Sequence, residues 1–576
     1  MARKIYSRLK ISGKLSAETP LHVGGLGGNT DTDMALAVNG KGEFYVPGTS
    51  LTGVLRAWCE KNFGEEEIKK LFGFQKDDSG QASFVLIEDA SIENAADILT
   101  EIRDGVGIDR FYGTAADGAK YDREILPKGS TLNFEMTIEI GDRKLKSKEK
   151  WKSEQDKYDE TEEEFEKRII QTKAIFGHLL EALRNCEIRF GGSRTRGLGK
   201  LKLSLTEKIT DESFIGFDNI IEILNRKIAE KNNQTESDVD TEAEIKKLIE
   251  ADGETKPDLI SRLDITIDWS PVQPLMVKAG FEGIGVDMLP LVSQKDGKNV
   301  ALVLPGSSIK GALRSHAERI MRTLLGETAK GKKDFHAQIQ ISLVDEIFGA
   351  KKDSPKGKDS EEVKNRKKTL GIGALAIDDC FAEKTFPAKD WSDVTSGRTK
   401  ENNEEVSYEK QELWKSLRKI DGADIAVAEE VKKDTETFKI NHHNAIDRFT
   451  GGAADSALYS VLAPTKISWD KMQFSLDFSR IKNKDEKIEE AGRRKCLMLL
   501  LLVLRDLAEN RLPLGFATTR GMGELKINNF ELIGKNLEKI GLDGDVSIKM
   551  ENGKFMASNS LKKLGGEKWW ETNQKM

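Results

Sequence analysis

Pro47-Gly48-Thr-Ser50-Leu-Thr-Gly53-Val-Leu55-Arg56 returns later in the chain as Pro305-Gly306-Ser-Ser308-Ile-Lys310-Gly311-Ala-Leu313-Arg314. Two more blocks return in the same order. Ile108-Asp109-Arg110-Phe111-Tyr-Gly113-Thr-Ala115-Ala116-Asp117 answers to Ile446-Asp447-Arg448-Phe449-Thr-Gly451-Gly-Ala453-Ala454-Asp455, and Thr195-Arg196-Gly197-Leu-Gly199-Lys-Leu201-Lys202 to Thr519-Arg520-Gly521-Met-Gly523-Glu-Leu525-Lys526. Six of ten, eight of ten and six of eight positions are identical, so the chain is a tandem duplication. One unit spans residues 5–208 and the other 259–535. A helical linker, 209–258, joins them, and a tail, 536–576, reads as strand-poor and carries Trp569-Trp570.

Each unit alternates strands and helices. Lys10–Ser16 and Leu263–Trp269 alternate apolar and polar residues as half-buried strands do. The Pro-Gly-x-Ser block opens a helix for which Ser50 and Ser308 are the expected N-caps. Ile309, Leu313, Ala317, Ile320 and Leu324 share one face of the second copy, and Lys310, Arg314, Arg319 and Arg322 form a basic stripe on the other. A later helix sets Phe165, Ile169, Thr172, Phe176, Leu179 and Leu183 on one stripe before a Gly-rich turn and a closing strand. This order predicts an α+β chain of two tandem ferredoxin-like, or RNA-recognition-type, sandwiches. Gly141–Arg168, Lys351–Lys368 and Ala382–Lys439 interrupt it and read as charged insertions or mobile loops with too little apolar surface for cores of their own.

Composition narrows the function classes. A length of 576 residues suits about three to four domains. The longest apolar run, Cys496–Leu504, is far shorter than the roughly 20 residues of a bilayer span, so it reads as a core helix. Met1-Ala-Arg-Lys-Ile shows no secretory pattern, and Cys59, Cys186, Cys380 and Cys496 have neither disulfide-framework nor zinc-site spacing, so a reducing cytoplasm and no membrane association are expected. The net charge of −6 argues only weakly against a nucleic-acid partner, because a local stripe of positive potential decides such binding.

The Thr-Arg-Gly-x-Gly turns put Arg196, Gly197 and Gly199, and Arg520, Gly521 and Gly523, where a backbone can approach a phosphate closely, with Arg194 beside the first turn. A tight helix-to-strand connection would explain either turn alone. Neither turn has the P-loop spacing, nor follows a strand as a dinucleotide fingerprint does. The Pro-Gly-x-Ser helix start is a second candidate anion site, which Lys310, Arg314, Arg319 and Arg322 extend into a basic stripe that could track a nucleic-acid backbone. The Ile-Asp-Arg-Phe blocks, holding Arg110 and Arg448, read as hairpins with small-residue tips that could wedge between bases.

With Pro20-Leu-His22-Val-Gly and an acidic residue shortly before Pro-Gly-x-Ser, these blocks resemble the RAMP superfamily, and more narrowly the backbone subunit (the Cas seven family) of type III CRISPR effector complexes. The tandem form is similar to the fused subunits of the type III-D variant. The resemblance implies a subunit that holds guide RNA in a basic groove and inserts thumb hairpins, here Ile108–Leu126 and Ile446–Leu462, that flip out nucleotides of the guide–target duplex. It implies that Asp33 and Asp287 cut the target RNA with a divalent ion, Mg²⁺ or Mn²⁺, which they help to bind. It further implies RNA contacts from His22, Ser50, Arg56, Arg110, Arg194, Arg196, Gly197, Gly199, Ser308, Lys310, Arg314, Arg448, Arg520, Gly521 and Gly523.

The expected partners are the guide RNA, complementary target RNA, a large polymerase/cyclase-like subunit and other RAMP and small subunits. Chemically, a lone carboxylate can hold such an ion and orient a 2′-hydroxyl for in-line attack, giving 2′,3′-cyclic phosphate and 5′-hydroxyl ends. Met276 replaces His22 in the second unit, so a role for that histidine cannot be common to both. His442-His443 has no first-unit counterpart and reads as a surface or RNA contact. Two other readings are a purely structural RNA-binding backbone and a guide-processing RAMP endonuclease.

Overall fold

A computed structural model describes residues 5–25, 32–76, 79–93, 100–141, 160–214, 239–258, 260–280, 286–295, 298–326, 328, 335–350, 371–396, 398–401, 404–407, 437–455, 457–481, 486–542 and 546–563. The chain divides into two compact units. The first comprises Met1–Leu99, Gly129–Gly192 and Gly199–Leu259, and the second Thr100–Lys128, Ser193–Leu198 and Ile260–Met576.

In the first unit, strand Ile5–Ala17 buries every second residue from Ser7 onward and so turns Leu9, Ile11 and Leu15 into the core. It pairs antiparallel with Thr131–Gly141 on one side and Leu201–Leu205 on the other, and Val85–Ile87 extends the sheet beyond Thr131–Gly141. Numbered along the chain, these four strands lie in the spatial order fourth, first, third, second. Helix Gly48–Phe63 follows the first strand and helix Glu162–Arg184 the third, which is the ferredoxin-like βαββαβ arrangement. The second helix is started by a reciprocal capping box of Thr161 and Glu164 and buries the Phe165-to-Leu183 stripe expected from its spacing. Beyond the closing strand, Thr210–Ser213 pairs with Ile5–Ala17, and Asp240 caps helix Thr241–Glu250.

The second unit repeats the order with Leu525–Lys535, Arg262–Pro271, Met472–Asp477 and Leu375–Asp378, and with helices Gly306–Leu325 and Glu486–Ala508. Arg196–Gly197 adds to this sheet in parallel, beside Leu375–Asp378. Ile265, Phe474, Leu313, Leu500 and Leu504 share one core, each buried side chain contributing about 1.5–3 kcal/mol. The Cys496–Leu504 run lies in its helix, and no helix among the described residues is long and apolar enough to cross a membrane.

Several expectations are corrected. Ser50 and Ser308 are not N-caps: the helices begin at Gly48 and Gly306, with Pro47 and Pro305 in the cap position and no side-chain cap from the serines. An aspartate caps each helix instead, Gly48 N–H donating to Asp89 Oδ1 at 2.7 Å and Gly306 N–H to Asp379 Oδ1 at 2.8 Å. A Cβ at either glycine would collide with the carbonyl of Ile87 or Ile377, which is why the position takes no side chain. The C-terminal residues are not strand-poor: hairpin Ile548–Glu551/Lys554–Ala557 sends Ile548, Phe555 and Ala557 into the main core, Phe555 meeting Phe530 edge-on at 5.5 Å. Trp569-Trp570 lies outside the described residues.

Nor is Ala382–Lys439 uniformly coreless. Strand Cys380–Pro387 pairs with Asn299–Leu304, and Phe386, Trp391 and Phe438 pack ring to ring. The remainder of that insertion (residues 408–436), Lys351–Lys368 and most of Gly141–Arg168 (residues 142–159) lie outside the described residues.

The first hairpin, Glu101–Ile108/Ala115–Ile125, clusters with the second unit and is bound there by buried charge. Arg103 pairs with Asp379 and donates to Ser293 Oγ at 3.1 Å, and Gln294 N–H donates to Glu101 at 2.5 Å. At the tip, Arg110 Nε meets Glu318 at 2.6 Å and Gln338 donates to Asp109 at 2.7 Å. The two capping aspartates therefore differ in what their loss costs. Asp379→Ala strands a buried guanidinium and lowers stability by about 3–5 kcal/mol, whereas Asp89→Ala, at an exposed position, removes only a cap worth roughly 1 kcal/mol. Urea unfolding of the two variants checks this, and equal losses contradict it.

Candidate nucleic-acid interface

One main-chain lattice occurs in both units. In the first, Ala37 N–H donates to Val23 O at 3.0 Å, Gly25 N–H to Ala35 O at 3.3 Å, Gly192 N–H to His22 O at 2.8 Å and Gly199 N–H to Pro20 O at 2.8 Å. In the second, Leu291 N–H donates to Val277 O at 2.7 Å, Ala279 N–H to Leu289 O at 2.8 Å, Phe516 N–H to Met276 O at 2.7 Å and Gly523 N–H to Pro274 O at 2.9 Å. Residue by residue this is the same framework, and in each copy it sets an acidic residue, Asp33 or Asp287, on the turn two residues before the paired segment. Both aspartates are exposed. His22 is interior, at 6% exposure, and Met276 takes its place in a small apolar cluster with Val461, Ala463 and Met522.

Asp287 is anchored to the base of the second hairpin, Phe438–His443/Tyr459–Pro464. Its Oδ2 accepts Ser460 N–H at 2.6 Å and Ser460 Oγ–H at 2.8 Å, and these bonds, with the nearby His442, hold its carboxyl below the usual range. Next along the strand, Arg520 of the Gly-rich loop donates to the Tyr459 hydroxyl, and His443 stacks on the Tyr459 ring at 5.1 Å. The first loop repeats the contact: Arg196 donates to Tyr121 OH at 3.2 Å, while Arg123 lies 5.7 Å over that ring and donates to Ser193. Ser193 and Ala517, at matching places in the two loops, both hold positive φ, 54° and 55°. A non-glycine residue kept left-handed twice marks a loop shape maintained against strain. Burial, and then Arg480, lower the Arg194 guanidinium's pKa, so cationic charge is crowded at the first loop.

The hairpin tips are built alike. Asp109 Oδ1 accepts the N–H groups of Phe111 and Tyr112, and Asp447 Oδ1 those of Phe449 and Thr450. Both carboxyls are lowered, chiefly by the Tyr112 and Thr450 N–H bonds. The second tip holds Phe449 98% exposed with Ile446 and Arg448 exposed beside it, a shape that fits an apolar wedge.

The expected basic stripe is corrected. Lys310, 4% exposed, donates to Leu375 O at 2.6 Å, and Arg314 is bound by Glu318 and Asp345, both at 2.8 Å. Arg322 is buried and donates to Gln338 O, and Arg319 donates to His316 Nδ1 at 2.7 Å. Lys310, Arg314 and Arg322 fasten the helix to its neighbours, because a basic side chain enclosed by the fold needs carboxylates and carbonyls to offset lost hydration, whereas Arg319 is exposed and bonds His316 of its own helix. Arg110 is likewise committed to Glu318, and Arg56 pairs with Glu60 at 2.8 Å. Gly197 is buried and lies so close to Asp379 that a Cβ there would clash, whereas Gly521 has open space around it. The helix starts are occupied by Asp89 and Asp379, which weakens them as external anion sites.

Among the described residues no group of His, Cys, Asp or Glu side chains converges as a metal cage. With Oδ2 committed to Ser460, Asp287 fits a divalent ion as a single carboxylate ligand whose remaining positions would be filled by RNA and water oxygens.

A family model described as the RAMP superfamily matches residues 14–202 and 272–526. The chain belongs to the RAMP superfamily. Its two RAMP regions coincide with the two copies of the lattice, and its two sandwiches are tandem RAMP domains. Over 219 residues it is 28% identical to the CRISPR system Cms endoribonuclease Csm3 of Methanocaldococcus jannaschii, covering 33% of this chain and 77% of that protein. Over 222 residues it is 25% identical to the protein of the same name from Streptococcus thermophilus, covering 34% and 87%. The alignments agree with a Csm3-like, type III RAMP subunit.

The sequence singled out the aspartates, hairpins and loop arginines described above as candidates but not Ser460, Tyr121 and Tyr459, which the structure places against them. The tyrosines do fall at one offset from the two hairpin blocks and were detectable as a fourth repeated position. Asp447→Ala should speed amide exchange at Phe449 and Thr450 by about 3- to 10-fold, the scale of a lost side-chain cap, while Asp447→Asn, which still offers an acceptor, largely preserves protection. Because the folded carboxyl lies below its unfolded value of about 3.9, this protection is complete above that pH and is lost as pH falls through the folded pKa. Protection unchanged by Asp447→Ala contradicts the tip geometry.

Proposed function

We propose that the chain is a guide-RNA-binding backbone subunit of a type III CRISPR effector complex, and that it cleaves the paired target RNA at two sites, one governed by Asp33 and one by Asp287. The observation that carries this reading is the doubled lattice, which holds an exposed aspartate at the same place in each RAMP domain. The names of the two Csm3 relatives support the reaction class.

In this reading base pairing reads sequence while the protein contacts backbone and shape. Phe449 and Ile446 at the exposed second tip press between stacked bases, and the cost of unstacking, a few kcal/mol, is offset by contacts along the guide. Arg520, steadied on Tyr459, meets a phosphate beside the displaced nucleotide. Ser460 fixes the Asp287 carboxylate so that its free oxygen faces the 2′-hydroxyl, which attacks its own phosphodiester in line. A bound Mg²⁺ or Mn²⁺ would supply positive charge to the phosphoryl oxygens. The other subunits of the complex, a large polymerase/cyclase-like subunit among them, complete the assembly, and the cytoplasm is its place of action.

The test uses the complex assembled with guide RNA and end-labelled complementary RNA. Asp33→Ala and Asp287→Ala should each abolish one product band, slowing that cut by at least about 100-fold, and the double variant both. EDTA should stop both cuts, and the products should carry 2′,3′-cyclic phosphates. Unchanged bands in the double variant would assign cutting to another subunit and leave this chain a scaffold.

A further inference from the structure

Four of the chain's six histidines are committed to the fold. His22 lies in the interior, His178 and His316 hydrogen-bond Thr255 O and Asp506, and His443 lies flat on the Tyr459 ring. His442 differs from these. It is exposed, and among the described residues it makes no hydrogen bond or ion pair.

The second hairpin sets its place by pairing His442 with Ser460 and His443 with Tyr459. Residues directly opposite each other in an antiparallel pair project from one face, with Cβ atoms about 4.5–5.5 Å apart. The His443–Tyr459 stack shows this on one face of the hairpin. On the other face His442 stands beside Ser460, whose N–H and Oγ–H both hold Asp287 Oδ2. After those two bonds, the nearby imidazole adds to what keeps the Asp287 carboxyl ionised. The first hairpin keeps the frame without the imidazole. With Tyr121 at the place of Tyr459, its register sets Asp104 opposite Asp122 where the second hairpin has His442 opposite Ser460, and Gly105 where it has His443. Asp104 pairs with Lys120 at 3.4 Å.

In the cleavage proposed above, the 2′-oxygen bonds to phosphorus as its proton passes to the free oxygen of Asp287, and the bond from phosphorus to the 5′-oxygen breaks. In-line displacement puts the departing oxygen on the far side of phosphorus from Asp287, so that carboxyl cannot return the proton. The Ser460 hydroxyl proton is committed to Asp287 Oδ2. Imidazole, with an ordinary pKa of about 6.5, is the side chain suited to giving up a proton near neutrality.

We propose that His442 is the general acid of the second cut, protonating the leaving 5′-oxygen and regaining its proton from water. The first hairpin has no counterpart to it. This rests on the reading of Asp287 as a cleavage site and adds the group that serves its leaving oxygen.

Single-turnover cleavage by the assembled complex tests this, with the first cut as an internal control. His442→Ala should slow the second cut about 100-fold and leave the first at its wild-type rate. His442→Gln, which donates a hydrogen bond but cannot give up a proton, should be as slow. Sulfur in place of the 5′-oxygen at the second scissile bond leaves as a thiolate without a proton, and should bring both variants to within about threefold of wild type on that substrate. Equal slowing of the two cuts, recovery in His442→Gln or no rescue by sulfur overturns the proposal. A second cut that withstands His442→Ala but is lost in Asp287→Ala overturns this proposal alone, whereas one that survives Asp287→Ala overturns the reading beneath it as well.

Discussion

The close approach of a glycine-rich loop to a Pro-Leu-x-Val segment is the constraint from which the candidate interface follows. Gly191 and Gly515 hold φ of 70° and 89°, and a Cβ at either would run into the carbonyl of His22 or Met276. Gly199 and Gly523 hold 91° and 84°, each pressed on the carbonyl of Phe190 or Leu514. Left-handed backbone without a side chain is what permits these contacts. Once they form, the Pro-Leu-x-Val segment has one edge on the loop and the other free to pair with the chain that carries Asp33 or Asp287.

A second constraint differs between the domains and gives them different surroundings. Each opening helix begins with a glycine whose N–H is met by an aspartate from the end of a strand. In the second unit that carboxylate is also the anchor for Arg103, and the first hairpin lies along the unit with its tip bolted to Glu318 and Gln338. The hairpin that both RAMP domains carry is thus held along the second unit in its first copy and exposed at its tip, at Phe449, in its second. The two domains share the frame, and charge placement differs between them.

Much of the fold was legible because it rests on local periodicity. The alternation in Lys10–Ser16 and the Phe165-to-Leu183 stripe are consequences of strand and helix geometry, and both faces are buried as their spacing required. The repeated blocks likewise gave the hairpins, whereas Asp33 and Asp287 were singled out by the resemblance to the RAMP superfamily. What stayed hidden was set by tertiary contact. A basic stripe on Gly306–Leu325 has the same periodicity whether it meets solvent or Asp345 and Glu318, and only the packed structure decides. Ser308 has good N-cap chemistry, but the strand-end carboxylate reaches the helix first. Ile548 and Phe555 lie in a short, charged stretch whose apolar residues find their core only across the sheet edge.

The most direct measurement of the central claim is a structure of the effector complex holding guide RNA and a target that carries 2′-deoxy nucleotides at the two cut positions. The account predicts one displaced nucleotide at each RAMP domain, with the carboxylates of Asp33 and Asp287 each within about 4 Å of the sugar edge or the adjacent phosphate. RNA running along another face, or a continuous undistorted duplex past either aspartate, would contradict it.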